Sequence, residues 1–251
     1  MGANRPIVLS VAGLDPSGGA GLLADIKTFE EHKVYGLGIS SAQTIQTEDE
    51  FISVKWEDES EILKAVGLML SKYDVKAVKI GIVENIARLK TLVRFIHGKN
   101  PDIKIVWDTV IKSSSGFDFW TGGMNEEILK EVLMKVFLIT PNYNEAAMLV
   151  PSLSAKEAAK ALSSYCNVLL KGGHNEGEVG VDYLYTNNEV EILKPNVSTA
   201  SAKHGSGCVM SSSITANLAF GHDLNTSCIK AKQYIERFLT SNNSLLGYHH
   251  V

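Results

Sequence analysis

The sequence predicts an α/β fold, with a mainly parallel central sheet covered by helices on both faces, in one domain spanning residues 1–251. Three observations carry this. Short apolar runs alternate with longer segments of helical period, the arrangement of successive βαβ units. Several of those runs are apolar throughout, as strands buried on both faces are. No repeat, low-complexity tract or Pro- or Ser-rich linker divides the 251 residues, and one α/β domain of that size buries a large core without staples.

The elements follow in order. Pro6 to Ala12 (PIVLSVA) reads as a buried strand, and Leu22, Leu23, Ile26 and Phe29 then recur at helical spacing. Between Val34 and Trp56 the pattern is short and β-like, and reads as a small β flap beside the main sheet. Val75 to Ile80 is a strand, and Ile86 to Ile96 a helix with Leu89, Leu92, Val93 and Ile96 on one face. Ile103 to Trp107 is a strand, Ile128 to Val136 a helix, and Phe137 to Thr140 a strand. Ala155 to Tyr165 is helical and Val168 to Lys171 a strand. Val181 to Tyr185 and Glu189 to Leu193, joined by Asn187-Asn188, form a hairpin that places an antiparallel edge on the sheet. Two helices close the chain, near Ser206 to Phe220 and Asn225 to Leu239.

Composition narrows the function classes. Hydrophobic residues are 45% and charged residues 21%, ordinary for a soluble globular chain. The formal net charge of -4, with scattered lysines and arginines, gives no field to recruit nucleic acid or anionic lipid. Three cysteines without a CxxC pair argue against a disulfide framework. The N-terminus lacks a long apolar run before a cleavage site, and no apolar stretch is long enough for a bilayer. The expectation is a cytoplasmic protein, in which the sequons at Asn196 and Asn225 are chance matches.

In open parallel sheets, ligands bind beyond the carboxyl ends of the strands. The residues that follow the strands here are Gly13-Leu14-Asp15, Gly81, Asp108, Pro141-Asn142 and Lys171-Gly172-Gly173. Carboxylates, an amide, a lysine and glycines at one rim suit phosphoryl transfer, which needs acids for Mg²⁺, a cation for the phosphoryl group and room for close backbone approach.

Single segments are more ambiguous. Asp15 to Gly21 (DPSGGAG) runs from a strand into a helix; its N–H groups suit a polar or anionic ligand, though a plain tight turn explains the pattern as well. Neither GxxxxGK[ST] nor GxGxxG is present. Asp25 shares a helix face with apolar residues, so it either meets a lysine or water at the stripe's edge or holds part of a ligand. Gly205 and Gly207 free backbone N–H groups at the start of the penultimate helix, a candidate anion hole. Cys208 lies in that helix's first turn, where the dipole lowers a thiol pKa; a small buried cysteine is the plainer alternative. Asn142 and Glu145 fit a capping box, and can also lie near bound phosphates.

Taken together, these segments resemble the ribokinase-like superfamily, specifically the hydroxymethylpyrimidine/phosphomethylpyrimidine kinases. AGLDPSGGAGLLADIKTF (Ala12 to Phe29) is similar to that family's opening signature, and KIGIVEN (Lys79 to Asn85) to its second block. WDTVIKSSSG (Trp107 to Gly116) resembles its D-P-V segment, with Thr109 in place of proline. ITPNYNEAAML, LLKGGH and HGSGCVMSSSITANLAFG complete the order along nearly the whole chain. The resemblance implies a three-layer α/β/α sandwich with ATP at the sheet's carboxyl edge. It implies that Asp25 and Gln46 bind the pyrimidine, with Gly13, Ala20, Ile82 and Val110 around it. Asp108 and Glu145 act through Mg²⁺ and water, and Lys171 contacts the ATP phosphates, with Asn142, Gly173 and Glu145 on the nucleotide side. Gly205, Ser206 and Gly207 form the anion hole and Cys208 is the base. Family methionine is replaced by Ile82, and Gln43-Thr44-Ile45-Gln46-Thr47 is more polar than usual.

The resemblance implies ATP-dependent phosphorylation of a hydroxymethylpyrimidine, with its monophosphate as a possible second substrate; a pyridoxal or pyridoxine kinase with the same machinery is the alternative. A non-catalytic ligand-binding protein on the same scaffold is the reading from another class, opposed by Asp108, Lys171 and the Gly205–Cys208 loop. The partners expected are a small molecule and a second copy of the chain, because an exposed flap strand suits a homodimer.

Overall fold

The structure, a computed structural model, describes residues 5–113, 116–120, 124–175, 177–187, 189–197 and 201–249. Ser114, Ser115, Asn188 and His250 lie outside the described residues. The chain opens with β1 (Ile7–Leu14), α1 (Gly21–Glu31), β2 (Tyr35–Gln46), β3 (Phe51–Trp56) and α2 (Glu59–Lys72). It continues through β4 (Val75–Ile80), α3 (Ile86–Lys99), β5 (Lys104–Trp107), α4 (Glu126–Leu133), β6 (Leu138–Ile139), α5 (Tyr143–Leu149), α6 (Ala155–Leu162) and β7 (Asn167–Leu170). It closes with β8 (Asp182–Thr186), β9 (Glu189–Leu193), α7 (Ser206–Ala219) and α8 (Leu224–Leu239).

One sheet holds these strands in the order β3-β2-β1-β4-β5-β6-β7-β8-β9. The six from β2 to β7 are parallel, and β3, β8 and β9 are antiparallel at the edges. From β1 the chain runs outward to β2 and β3, and from β4 it runs the other way to β5 and beyond, so the topological switch point lies between β1 and β4. Alternating strand residues feed two cores. Leu9, Val78, Ile80, Ile105, Trp107 and Ile139 pack under α2–α6, while Val106, Leu138 and Leu169 pack under α7 and α8. The predicted three layers are present.

The flap reading needs correction. β2 is an inner strand, paired with β1 from Tyr35 to Gln43, and only its last residues turn outward to pair with β3. Its glycines obscured this in the sequence. A Cβ at Gly36 would stand 2.9 Å from the Phe29 ring, and one at Gly38 would stand 3.1 Å from Leu22. The strand gives up side chains so that α1 can lie close.

Helix α2 was not foreseen. Asp58 caps it, accepting from the Ser60 N–H at 2.8 Å, but Val66 alone in it is buried, so its apolar stripe is weak. In the β8–β9 hairpin Asn187 takes φ +39°, the left-handed conformation that asparagine tolerates in tight turns. Among the described residues no helix is long and apolar enough to cross a membrane.

Candidate active site

The site follows from strand period. Ser10, Lys79, Asp108, Thr140 and Lys171 each come two residues after an apolar group on the α7 face, namely Val8, Ala77, Val106, Leu138 and Leu169. Alternation therefore sends all five toward one side of the sheet, beneath the first turns of α7. Asp108 is fully buried. Its Oδ1 accepts from Lys171 Nζ at 2.9 Å and Thr140 Oγ1 at 3.0 Å, and its Oδ2 from Ser211 Oγ on α7 at 3.1 Å. Burial works to raise the Asp108 pKa, but the charges of Lys171 and Lys79 outweigh it and hold the carboxyl below its usual value. Lys171 stays charged by the converse balance: burial opposes its charge, and Asp108 and Glu145 more than restore it.

Helix α7 begins over this pair. Gly205, its N-cap, has φ +72°, and a Cβ there would overlap the Gly19 carbonyl and stand 2.6 Å from Ala20 Cα. Only glycine lets the turn lie so close to the first loop. A Cβ at Gly207 would stand 3.1 Å from Lys171 Nζ, so the expected anion hole and the lysine do face one another. Cys208 follows in the first helical turn. Its surroundings reverse the expected thiol acidity: burial pushes the pKa up to about 11, and Lys79 offsets this only partly against Asp108 and Asp25. The helix terminus does not overcome desolvation here.

The first loop is also different from expectation. The Ser17 and Ala20 amides turn inward onto the Asp15 carboxylate. Asp15 accepts from Ser17 N at 2.9 Å, Ser17 Oγ at 2.8 Å and Ala20 N at 2.9 Å, and meets His204 Nε2 at 2.9 Å. The carboxylate thus ties the first loop to the loop before α7.

Asn142 and Glu145 form the predicted capping box, with bonds of 2.9 Å and 2.8 Å. Thr109, the residue that departs from the family pattern, is buried and donates to Glu145 Oε2 at 3.1 Å. Burial raises the Glu145 pKa to about 7, with Lys171 pulling it down and Asp108 pushing it back up. An acid whose folded pKa lies above its unfolded value of 4.5 loses stabilisation as pH rises through that interval. Glu145→Gln keeps the cap. Its melting temperature relative to wild type should therefore rise between pH 4.5 and pH 7, by an amount equivalent to about 1–3 kcal/mol. A pH-independent difference would remove Glu145 as a titrating group.

Asp25 requires the largest correction. It is wholly buried, its Oδ1 accepting from Lys79 at 2.7 Å and Ser212 at 2.7 Å, and its Oδ2 from Ser10 at 2.6 Å and Lys79 at 2.9 Å. The carboxylate is satisfied by protein, as burial of a charge demands. The other substrate-side candidates are on neighbouring strands at the carboxyl edge. Gly13 ends β1 against the Ile82 side chain. Val110 follows Asp108 and is half-buried. Gln46 ends β2, donating to Thr44 Oγ1 at 3.0 Å, and Thr44 in turn donates to the Leu14 carbonyl at 2.8 Å. Gly173, in a 3-10 turn after β7, is exposed.

The sequence reading missed Lys79, Thr140 and Ser211. The signal was available in the period-two continuation of each strand and in the serine run of α7, residues 211 to 213. Among the described residues, no three acidic, histidine or cysteine side chains form a metal cage. Two buried carboxylates beside a lysine are instead the oxygen donors that suit Mg²⁺ shared with phosphates and water.

Comparison with known proteins gives a consistent result. The family model described as phosphomethylpyrimidine kinase matches residues 15–251. A hydroxymethylpyrimidine/phosphomethylpyrimidine kinase of Aquifex aeolicus is 32% identical over 246 residues, covering 95% of this chain and 96% of that one. The crystal structure of phosphomethylpyrimidine kinase from Clostridium difficile 630 is similar at a TM-score of 0.78, with 29% identity, 92% of this chain and 98% of that one covered. An ADP complex of Bacillus subtilis pyridoxal kinase is similar at a TM-score of 0.81, with 26% identity, 95% of this chain and 93% of that one covered.

Proposed function

This chain belongs to the phosphomethylpyrimidine kinase family and is a kinase, and from that premise we propose that it transfers the γ-phosphoryl of ATP to the hydroxymethyl group of 4-amino-5-hydroxymethyl-2-methylpyrimidine, in thiamine biosynthesis. The observation that carries the chemistry is the placement of Lys171 against Gly207 and Asp108, under the first turn of α7.

Lys171 meets the transferring phosphoryl group with a fixed positive charge. The N–H groups of the Gly205–Gly207 turn donate to its developing negative charge without reorganising, because the glycine geometry has already set them. Asp108 and Glu145 would hold Mg²⁺, partly through water. When bound, that ion neutralises charge on the β- and γ-phosphate oxygens. Asn142 and Gly173 border the phosphates, while Gln46, Gly13, Ala20, Ile82 and Val110 enclose the acceptor ring. The protein acts in the cytoplasm as a homodimer. β3 supports the dimer: it is an edge strand with one unpaired side, and its Ile52 and the neighbouring Ile45 of β2 are exposed.

A second reading, pyridoxal phosphorylation, is favoured by the overall similarity to the Bacillus subtilis pyridoxal kinase. ATP turnover measured side by side with hydroxymethylpyrimidine, its monophosphate and pyridoxal separates them. The expected result is the highest kcat/KM with the hydroxymethylpyrimidine; a higher value with pyridoxal makes the second reading correct.

A further inference from the structure

Asp25 is carried over as a ligand, and the fold encloses its carboxylate among four protein donor contacts. It sits on α1, and Lys79 on β4 grips both its oxygens, at 2.7 Å and 2.9 Å. Ser10 on β1 and Ser212 on α7 donate to it at 2.6 Å and 2.7 Å. All four residues are fully buried. Ser212 is four residues after Cys208, so the two share a helix face. The preceding residue, Ser211, donates to Asp108 Oδ2 and to the Cys208 carbonyl. Two consecutive serines therefore fasten the first turns of α7 to two buried carboxylates, Asp108 through Ser211 and Asp25 through Ser212.

We propose that Asp25, Lys79 and Ser212 form a positioning unit that seats the first turn of α7, and with it the Gly205–Gly207 turn and Cys208, over the sheet. The proposal rests on the reading of that turn as the phosphoryl site. Lys79 neutralises Asp25, which lets a charged acceptor persist at zero exposure, and the charged acceptor gives Ser212 a stronger bond than a neutral one could. The helix start is thereby fixed against β1, β4 and α1 at once. Asp25 positions; it does not touch substrate.

Removing either charge alone would leave the other buried and unpaired, so the informative variant is Ser212→Ala, with Ser213→Ala as its match. Ser213 lies next along the same buried helix and bonds His32 Nε2 at 2.7 Å, away from the unit. Each variant is assayed for melting temperature, for kcat and both KM values, and for iodoacetamide labelling of Cys208, Cys166 and Cys228 resolved by peptide mass spectrometry. Ser212→Ala should lower kcat about ten- to hundredfold, the size of one lost hydrogen bond to a charged group, with both KM values within about twofold. Cys208 should label several-fold faster, with Cys166 and Cys228 unchanged. Ser213→Ala should lose comparable stability and leave kcat and Cys208 labelling as in wild type. The labelling contrast needs no substrate, so it holds even if the acceptor is misassigned. Identical behaviour of the two variants would overturn the proposal, and so would an acceptor KM raised tenfold in Ser212→Ala with kcat unchanged, which returns Asp25 to ligand binding.

Discussion

Lys171→Met should lower kcat by about 10²–10³, the usual cost of removing one fixed donor from a transition-state anion site. Its stability should fall as well, by about 3 kcal/mol, because Asp108 is left charged and fully buried beside Thr140 and Ser211. Those two effects have different origins, and a double variant separates them. In Asp108→Asn/Lys171→Met no unpaired charge remains, so most of the lost stability should return while the rate stays low. Lys171→Arg should not rescue the rate. Gly207 approaches the ammonium so closely that a Cβ there would stand 3.1 Å from it, which leaves no room for a planar guanidinium. Thermal melts and kcat at saturating ATP check all three variants. A single variant with near-normal kcat would place the phosphoryl group elsewhere on the rim.

Most of the fold was legible because strands buried on both faces write themselves as apolar runs. The rim was legible for the same reason: Asp108, Asn142 and Lys171 are the polar residues at which those runs stop. The reading failed where a side chain had been given up or where a partner lay far along the chain. β2 looked like a flap because Gly36 and Gly38 make way for Phe29 and Leu22 of α1, and sequence shows the glycines without what fills their space. Asp25 looked like a ligand because its partner Lys79 is 54 residues away, and strand period puts Lys79 on the α7 face without saying what it meets there. The rule that a buried carboxylate must be paired was right, and the choice of partner required the fold. The thiol acidity of Cys208 failed differently. Helix position is local and visible, whereas burial and the two nearby carboxylates that outweigh it are tertiary.

The raised thiol pKa of Cys208 constrains what the residue can do. With its pKa raised to about 11, only about one thiol in ten thousand is ionised at pH 7. A standing thiolate is therefore a minor species in the free enzyme. The acceptor hydroxyl still has to lose its proton, but a loose phosphoryl-transfer transition state asks for little help early on. A rarely formed but strongly basic thiolate, held beside Lys79 and bonded by the Gly21 N–H, can supply it late. Two consequences follow. If the thiolate is the base, Cys208→Ala should lower kcat by about 10²–10⁴, with KM for ATP within a few-fold. The sign of the pH effect is also fixed: a raised thiol pKa means the base form grows as pH increases, so wild-type kcat should climb steadily from pH 7 to pH 9 without a plateau. The Cys208→Ala profile should be flat over the same range. Iodoacetamide labelling of Cys208 in the free enzyme should climb in parallel with wild-type kcat. Near-normal kcat in Cys208→Ala, or a wild-type profile that levels off near neutrality, would make the thiol a packing residue beneath the first loop. Transfer would then depend on Lys171, the Gly205–Gly207 turn and the phosphate's own oxygens as proton acceptor.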